Sequence, residues 1–246
     1  EKIWTNFYPH SIGLFYSTIT DYLGFEINEG EFKVMSLGSF GKPLYEKQLK
    51  EVFNIDDFQI NMNYFEFHKN PSKSFSKKFS EIFGEPYLNI NIEENFKKYA
   101  NIASSAQLIL ELTMKNLLEK AIKLSGKKKI VLTGGVALNC KMIHSLSKQN
   151  IFEELIVPPS PGDSGSAIGA ANFGYLNKEK TKTLNFNTIF LGPKKEIINK
   201  KINKENLFSK INLTDNFLDE AANKLIDGEI VASYYGQTEV GPRSLG

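Results

Sequence analysis

Residues 131–140 read Val-Leu-Thr-Gly-Gly-Val-Ala-Leu-Asn-Cys, with Gly134 and Gly135 set between an apolar run and helix-compatible residues. A strand end, a glycine pair and a helix start gather backbone N–H groups and the positive end of a helix at one point, where phosphate is a natural guest. Glycines leave no side chain to hold a phosphate chain away. Asn139, one turn into the expected helix, can project its amide toward the same place. The stretch is not a Walker loop, since the glycine spacing and the Lys-Ser/Thr pair are missing. From these residues alone, a tight turn without a ligand is the competing reading.

Two further stretches carry groups that could do chemistry. Asp163, in Pro-Gly-Asp-Ser-Gly after an apolar run, is either the cap of the next helix or a carboxylate beside the crevice of an α/β sheet, able to hold a divalent metal. Glu239 and Arg243 share the glycine-rich segment Gly-Gln-Thr-Glu-Val-Gly-Pro-Arg-Ser-Leu-Gly. Arg243 could make a bidentate contact with a phosphate or carboxylate, or the two could pair and brace an exposed turn. His10 could exchange protons or bind an anion, although a lone histidine is more often structural. His68 and His144 have no clustered partners. Cys140 lacks a His or Asp arrangement around it and reads as a small buried hydrophobe. No catalytic acid or base can be singled out, and no H-x₃-H, HExxH or CxxC is present.

The elements that must position these groups follow from periodicity. Ile12, Phe15, Tyr16, Ile19 and Leu23 form a helical stripe ended by Gly24. A turn-like Asn-Glu-Gly-Glu-Phe and a segment punctuated by glycines and a proline follow. Within the Lys-, Asn- and Phe-rich residues 43–100, the run 58–68 alternates enough to suggest a strand or hairpin, and 70–84 reads as a loop leading into a short helix. Ile102, Ala106, Ile109, Leu110, Thr113, Leu117, Ala121 and Leu124 predict a helix of about six turns closed by Gly126. A strand at 128–133, a helix over about 136–148, a strand at 152–158 and a small-residue helix beyond it predict an α/β sheet with parallel elements. A polar linker precedes an extended 188–193, a helix within 213–228 with Thr214 as its N-cap and Gly228 beyond its end, and a strand at 229–235. A domain boundary near Asn185 divides the chain into 1–185 and 186–246.

Composition excludes several classes. The 30 basic residues nearly balance 28 acidic ones, so no nucleic-acid footprint is expected. One cysteine forbids an internal disulfide framework and fits a reducing, cytoplasmic setting. No apolar run approaches a membrane span. The chain opens without Met and stops within a glycine-rich stretch, which reads as a fragment.

In their order, the segments YPHSIGLFYSTITDYLGFEINEGEFKVMSLGSFGKP, LTGGVALNC, PPSPGDSGSAIGAA, FLGP and GQTEVGPRSLG resemble the O-carbamoyltransferases of nodulation and antibiotic biosynthesis. The resemblance runs from about His10 to Gly246 and is least distinctive over residues 44–95. It implies an actin, sugar-kinase and heat-shock-ATPase-like (ribonuclease H-like) nucleotide-binding domain. This domain would be followed by the start of an α+β domain similar to threonylcarbamoyl-AMP synthase. It implies ATP, a divalent metal (iron or magnesium), and transfer of a carbamoyl group from carbamoyl phosphate, through carbamoyl-adenylate, to a hydroxyl of a small-molecule or sugar acceptor. A homodimer stays open.

On this resemblance Gly134, Gly135, Val136 and Asn139 contact the nucleotide, with Glu31 and Lys33 in a second contacting segment. Asp163 would ligate the metal, joined in the family by a histidine pair upstream of Glu1, and Arg243 and Glu239 would serve the carbamoyl phosphate and adenylate site. Ser36 and Ser39 depart from the family's usual glycine and proline or alanine. The fragment is expected to be inactive alone. Two alternatives share the Gly134-Gly135 loop: a tRNA threonylcarbamoyladenosine transferase, and a non-enzymatic nucleotide-binding module of the same fold.

Overall fold

The apolar stripe of the first helix becomes the wall of the core. Helix α1 (Ile12–Tyr22) starts at Ser11, whose Oγ accepts from Leu14 N at 3.3 Å, and ends before Gly24, whose φ is +76°. Its Phe15, Tyr16, Ile19 and Tyr22 are buried. The structure is a computed structural model that describes residues 1–70, 73–87, 92–179, 188–192, 216–232 and 237–241. By internal contacts the chain forms two units, Glu1–Asp163 and Ser164–Gly246. The expected boundary near Asn185 lies outside the described residues.

In the first unit, α2 (Glu31–Leu37) occupies ground where the sequence suggested only a turn and a punctuated segment. The turn signal is real, because Asn28 has a positive φ of 71°. Glu31, the first residue of a helix two turns long, bends back to accept from Asn28 N at 3.0 Å and so ties the turn to the helix start. The glycines after α2 serve close packing. A Cβ on Gly41 would lie 2.0 Å from Ala100 O, and one on Gly38 would lie 3.1 Å from the Ala103 carbonyl carbon.

Helix α3 (Glu46–Val52) leads into β1 (Phe53–Asn54), which pairs antiparallel with β2 (Gln59–Ile60). The expected strand over 58–68 is thus cut to a two-residue hairpin arm, because Asn61 Oδ1 accepts from Asn63 N and turns the chain into a 3-10 segment at Met62–Tyr64. Helix α4 (Lys77–Phe83) supplies Phe79 and Phe83 to an aromatic cluster around Tyr22, whose hydroxyl donates to Gly84 O at 2.8 Å and Glu85 O at 3.1 Å.

Helix α5 (Ile92–Ser125) has 34 residues, longer than the six turns expected. Its length of about 50 Å makes it the spine on which α1, α2, α3 and α6 pack. Tyr99, Ile102, Ala103, Ala106, Ile109, Leu110 and Met114 line its buried face. Polar residues on it also reach its neighbours: Asn101 Oδ1 accepts from Lys42 N at 2.8 Å, and Ser105 Oγ from Tyr45 N at 2.9 Å.

Strands β3 (Lys129–Val131) and β4 (Glu154–Ile156) pair parallel, joined through α6 (Cys140–Ser147), so the described part is a mixed α/β unit with the βαβ arrangement expected. Ile130 and Leu155 turn toward the core.

In the second unit, α7 (Gly165–Glu179) is the small-residue helix, and α8 (Phe217–Ile226) ends before Gly228, whose φ is +81°. The proposed cap Thr214 lies outside the described residues. Residues 229–232 form no strand, while Phe190 bridges Glu239 antiparallel. Among the described residues no helix is long and apolar enough to cross a membrane.

Candidate functional site

The glycine pair sits where β3 ends, and its two members differ. Gly134 has φ +99° and ψ 161°, a conformation essentially confined to glycine. Its N–H donates to Pro161 O at 2.7 Å, which ties the turn to the segment after β4. Gly135 has no positive φ, and a Cβ added to it would meet nothing within 4 Å. Neither backbone strain nor packing requires glycine at 135; open space lies where a side chain would stand.

The chain does not enter a helix at residue 136 as the sequence suggested. Gly135–Leu138 form a 3-10 turn, and α6 begins only at Cys140. The reason is Asn139: its Oδ1 accepts from Met142 N at 2.9 Å, so it caps α6 instead of lying one turn inside it. The N–H groups of Gly135 and Val136, first in the turn, have no acceptor within it, and none of the described residues supplies one. Two backbone donors without a protein acceptor therefore stand at the glycine pair.

Asp163 belongs to the same neighbourhood. A Cβ on its neighbour Gly162 would stand 3.6 Å from Leu138 Cδ1 and 4.0 Å from Gly135 Cα, so the 161–163 segment runs along the turn. Among the described residues no group of three or more His, Cys, Asp or Glu gathers anywhere, so Asp163 has no complete ligand set beside it.

Behind the turn lies a polar cluster that the sequence reading missed. Tyr16 Oη donates to Gln107 Oε1 at 3.0 Å. Gln107 Nε2 donates to Glu111 Oε1 at 2.9 Å and to Asn139 Oδ1 at 3.0 Å, while Asn139 Nδ2 donates back to Gln107 Oε1 at 3.0 Å. Burial pushes the Tyr16 phenol well above its ordinary range; the Asn139 amide works against that shift, and the charges of Glu31 and Glu111 add to it. One signal was readable: Gln107 is a long polar residue within an otherwise apolar helical stripe, and it is 2 % exposed.

Glu31 accepts from Ser17 Oγ at 2.8 Å as well as from Asn28 N. One turn on, Met35 lies 3.8 Å from Cys140 through their sulfurs, so this face of α2 approaches the start of α6. Val136 packs against α1, its Cγ2 standing 3.5 Å from where a Gly13 Cβ would be. Lys33 is exposed, its Nζ 5.8 Å from the Phe25 and Phe32 ring centroids. Contacts thus link the Gly134–Asn139 turn to the 161–163 segment and, through Met35 and Cys140, to α2.

Glu239 is in the second unit, where Val240 N donates to Ile189 O at 2.7 Å; Arg243 lies outside the described residues. His10 is structural, with its Nδ1 accepting from Ile60 N at 3.2 Å. Cys140 is exposed at the first position of α6, not buried as its type suggested, because the 3-10 turn before it shifts the helix register.

A family model described as the carbamoyltransferase N-terminus matches residues 2–172. An uncharacterised protein of Synechocystis sp. is 30% identical over 268 residues, spanning 99% of this chain and 41% of that protein. The nodulation protein NolNO of Sinorhizobium fredii is 27% identical over 250 residues, spanning 96% of this chain and 34% of its own length. NolO of Bradyrhizobium diazoefficiens is 25% identical over 247 residues, spanning 96% and 42%. The chain therefore spans about two fifths or less of the length of each of these relatives.

Proposed function

Because this chain belongs to the carbamoyltransferase N-terminus family, we propose that it holds ATP for the transfer of a carbamoyl group from carbamoyl phosphate to a hydroxyl of a small-molecule or sugar acceptor. The observation that carries this reading is the Gly134-Gly135 turn: two N–H groups without acceptors, beside a glycine that nothing in the fold requires. Donors arranged in advance around open space suit the oxygens of a nucleotide's phosphates, since no reorganisation is needed when the ligand arrives.

In this account the N–H groups of Gly135 and Val136 hold phosphate oxygens, and Asn139 fixes the end of the turn. The surrounding domain would be of the actin and sugar-kinase kind. A carbamate oxygen attacks the α-phosphorus of ATP and pyrophosphate leaves, giving carbamoyl-adenylate. The acceptor hydroxyl then attacks the carbamoyl carbon and releases its proton to solvent as AMP departs, so the product is a carbamate ester. Releasing carbamate from carbamoyl phosphate consumes one water and frees one phosphate. Arg243 and Glu239 would serve the carbamoyl phosphate and adenylate site. Asp163 would offer one carboxylate to a divalent metal, whose charge would draw in phosphate oxygens; the described residues gather no further ligands beside it.

Product analysis tests the reaction. Full-length protein given carbamoyl phosphate, ATP and a hydroxylated acceptor should form AMP and pyrophosphate in step with the carbamate. Formation of ADP instead would point to a kinase and remove the reading.

A further inference from the structure

We infer that Gln107 is a positioning residue for the glycine turn, holding Asn139 by a reciprocal amide pair so that the Gly135 and Val136 N–H groups stay aimed at the nucleotide. This deepens the proposed function and rests on its reading of the turn. Gln107 uses all four of its hydrogen-bonding sites. Its Oε1 accepts from Tyr16 Oη and Asn139 Nδ2, and its Nε2 donates to Glu111 Oε1 and Asn139 Oδ1.

The direction of this chain of bonds is fixed at both ends. The Glu111 carboxylate can only accept, which turns the Gln107 nitrogen toward it and the Gln107 oxygen toward the Tyr16 hydroxyl. At the far end the Met142 N–H can only donate, which turns Asn139 Oδ1 toward α6. With both ends set, the two amides between them have one orientation in which every bond is made.

The pair joins three elements to the turn. Tyr16 comes from α1, Gln107 and Glu111 from α5, and Asn139 closes the 3-10 turn and opens α6. Removing the Gln107 amide leaves the Tyr16, Glu111 and Asn139 groups competing for new partners. A reoriented Asn139 loses its bond to Met142 N, and the turn that ends at Asn139 loses its anchor. A half-satisfied network of this kind loosens what it held.

The test compares ATP affinity of the full-length protein with that of three variants, by calorimetry, with urea unfolding measured alongside. Gln107→Met keeps the volume and removes the amide; its ATP affinity should fall tenfold or more. Ser105→Ala removes a buried polar clip on the same helix that does not reach the turn; it should lower the unfolding midpoint and leave ATP affinity within twofold. Gln107→Glu places a carboxyl against Glu111, with Tyr16 from α1, Glu31 on α2 beyond it and the uncharged Asn139 amide on the α6 side. Its affinity should be weak at pH 8 and recover on acidification toward pH 5, as the new carboxyl takes a proton and becomes a donor again, relative to wild type at each pH. ATP affinity within twofold of wild type in both Gln107 variants would overturn the positioning role while leaving the turn's nucleotide reading intact. Absence of ATP binding by the wild-type protein would overturn both.

Discussion

Adding one methyl group to each member of the glycine pair should give opposite results. At Gly134, φ of +99° is strained for any residue with a Cβ, so Gly134→Ala should cost about 1–3 kcal/mol of stability. For a unit of this size that is a fall in Tm of very roughly 2–12 °C. At Gly135 the backbone has no positive φ and the new methyl meets nothing within 4 Å, so Gly135→Ala should change stability by less than about 1 kcal/mol, in either direction. Its methyl would stand where phosphate must approach the Gly135 and Val136 N–H groups, and ATP affinity should drop about tenfold or more, or about 1.4 kcal/mol. Thermal melts and ATP titration of the two full-length variants separate the effects. A Gly135→Ala protein that binds ATP like wild type, or that loses as much stability as Gly134→Ala, would refute the assignment of that position to a ligand.

Further outcomes follow from the packing. Gly41→Ala should cost about 3 kcal/mol or more in chemical unfolding, because its Cβ would meet Ala100 backbone atoms at 2.0 and 2.2 Å, which cannot rotate away. Tyr22→Phe should cost about 1 kcal/mol, through the lost donor to Gly84 O and Glu85 O. Burial, first of all, raises the phenol pKa of both Tyr16 and Tyr22 above the ordinary value. A group that holds its proton more tightly when folded contributes stability that is complete below its unfolded pKa, about 10, and lost as pH rises through the folded value. Alkaline titration followed near 295 nm should therefore show the phenols of Tyr16 and Tyr22 ionising later than exposed tyrosines, with stability declining above about pH 10; a Tyr16→Phe protein with an unchanged titration curve would contradict this.

What the sequence made legible was the part governed by local periodicity and by glycine. Helix α1 and the middle of α5 followed from apolar spacing, and the parallel β3–α6–β4 unit from alternation of element types. The glycine turn and the approach of the 161–163 segment to it also follow from the motif order. What escaped depends on tertiary partners. The shift of α6 from residue 136 to Cys140 comes from Asn139 choosing to cap, and either choice suits the local residues. The hairpin at 53–60 stopped at Asn61 because one side-chain bond redirected the chain. Gln107, Asn101 and Ser105 look like interruptions of an apolar stripe until their partners on distant segments are seen.

On the proposed function, the Gly134-Gly135 turn receives a nucleotide's phosphates. Hydrogen–deuterium exchange of the full-length protein, read on peptides covering residues 132–138 with and without ATP, addresses it directly. Exchange in that segment should slow on adding ATP, since its acceptor-less N–H groups gain partners. Unchanged exchange across 132–138 under saturating ATP, with protection appearing elsewhere, would contradict it.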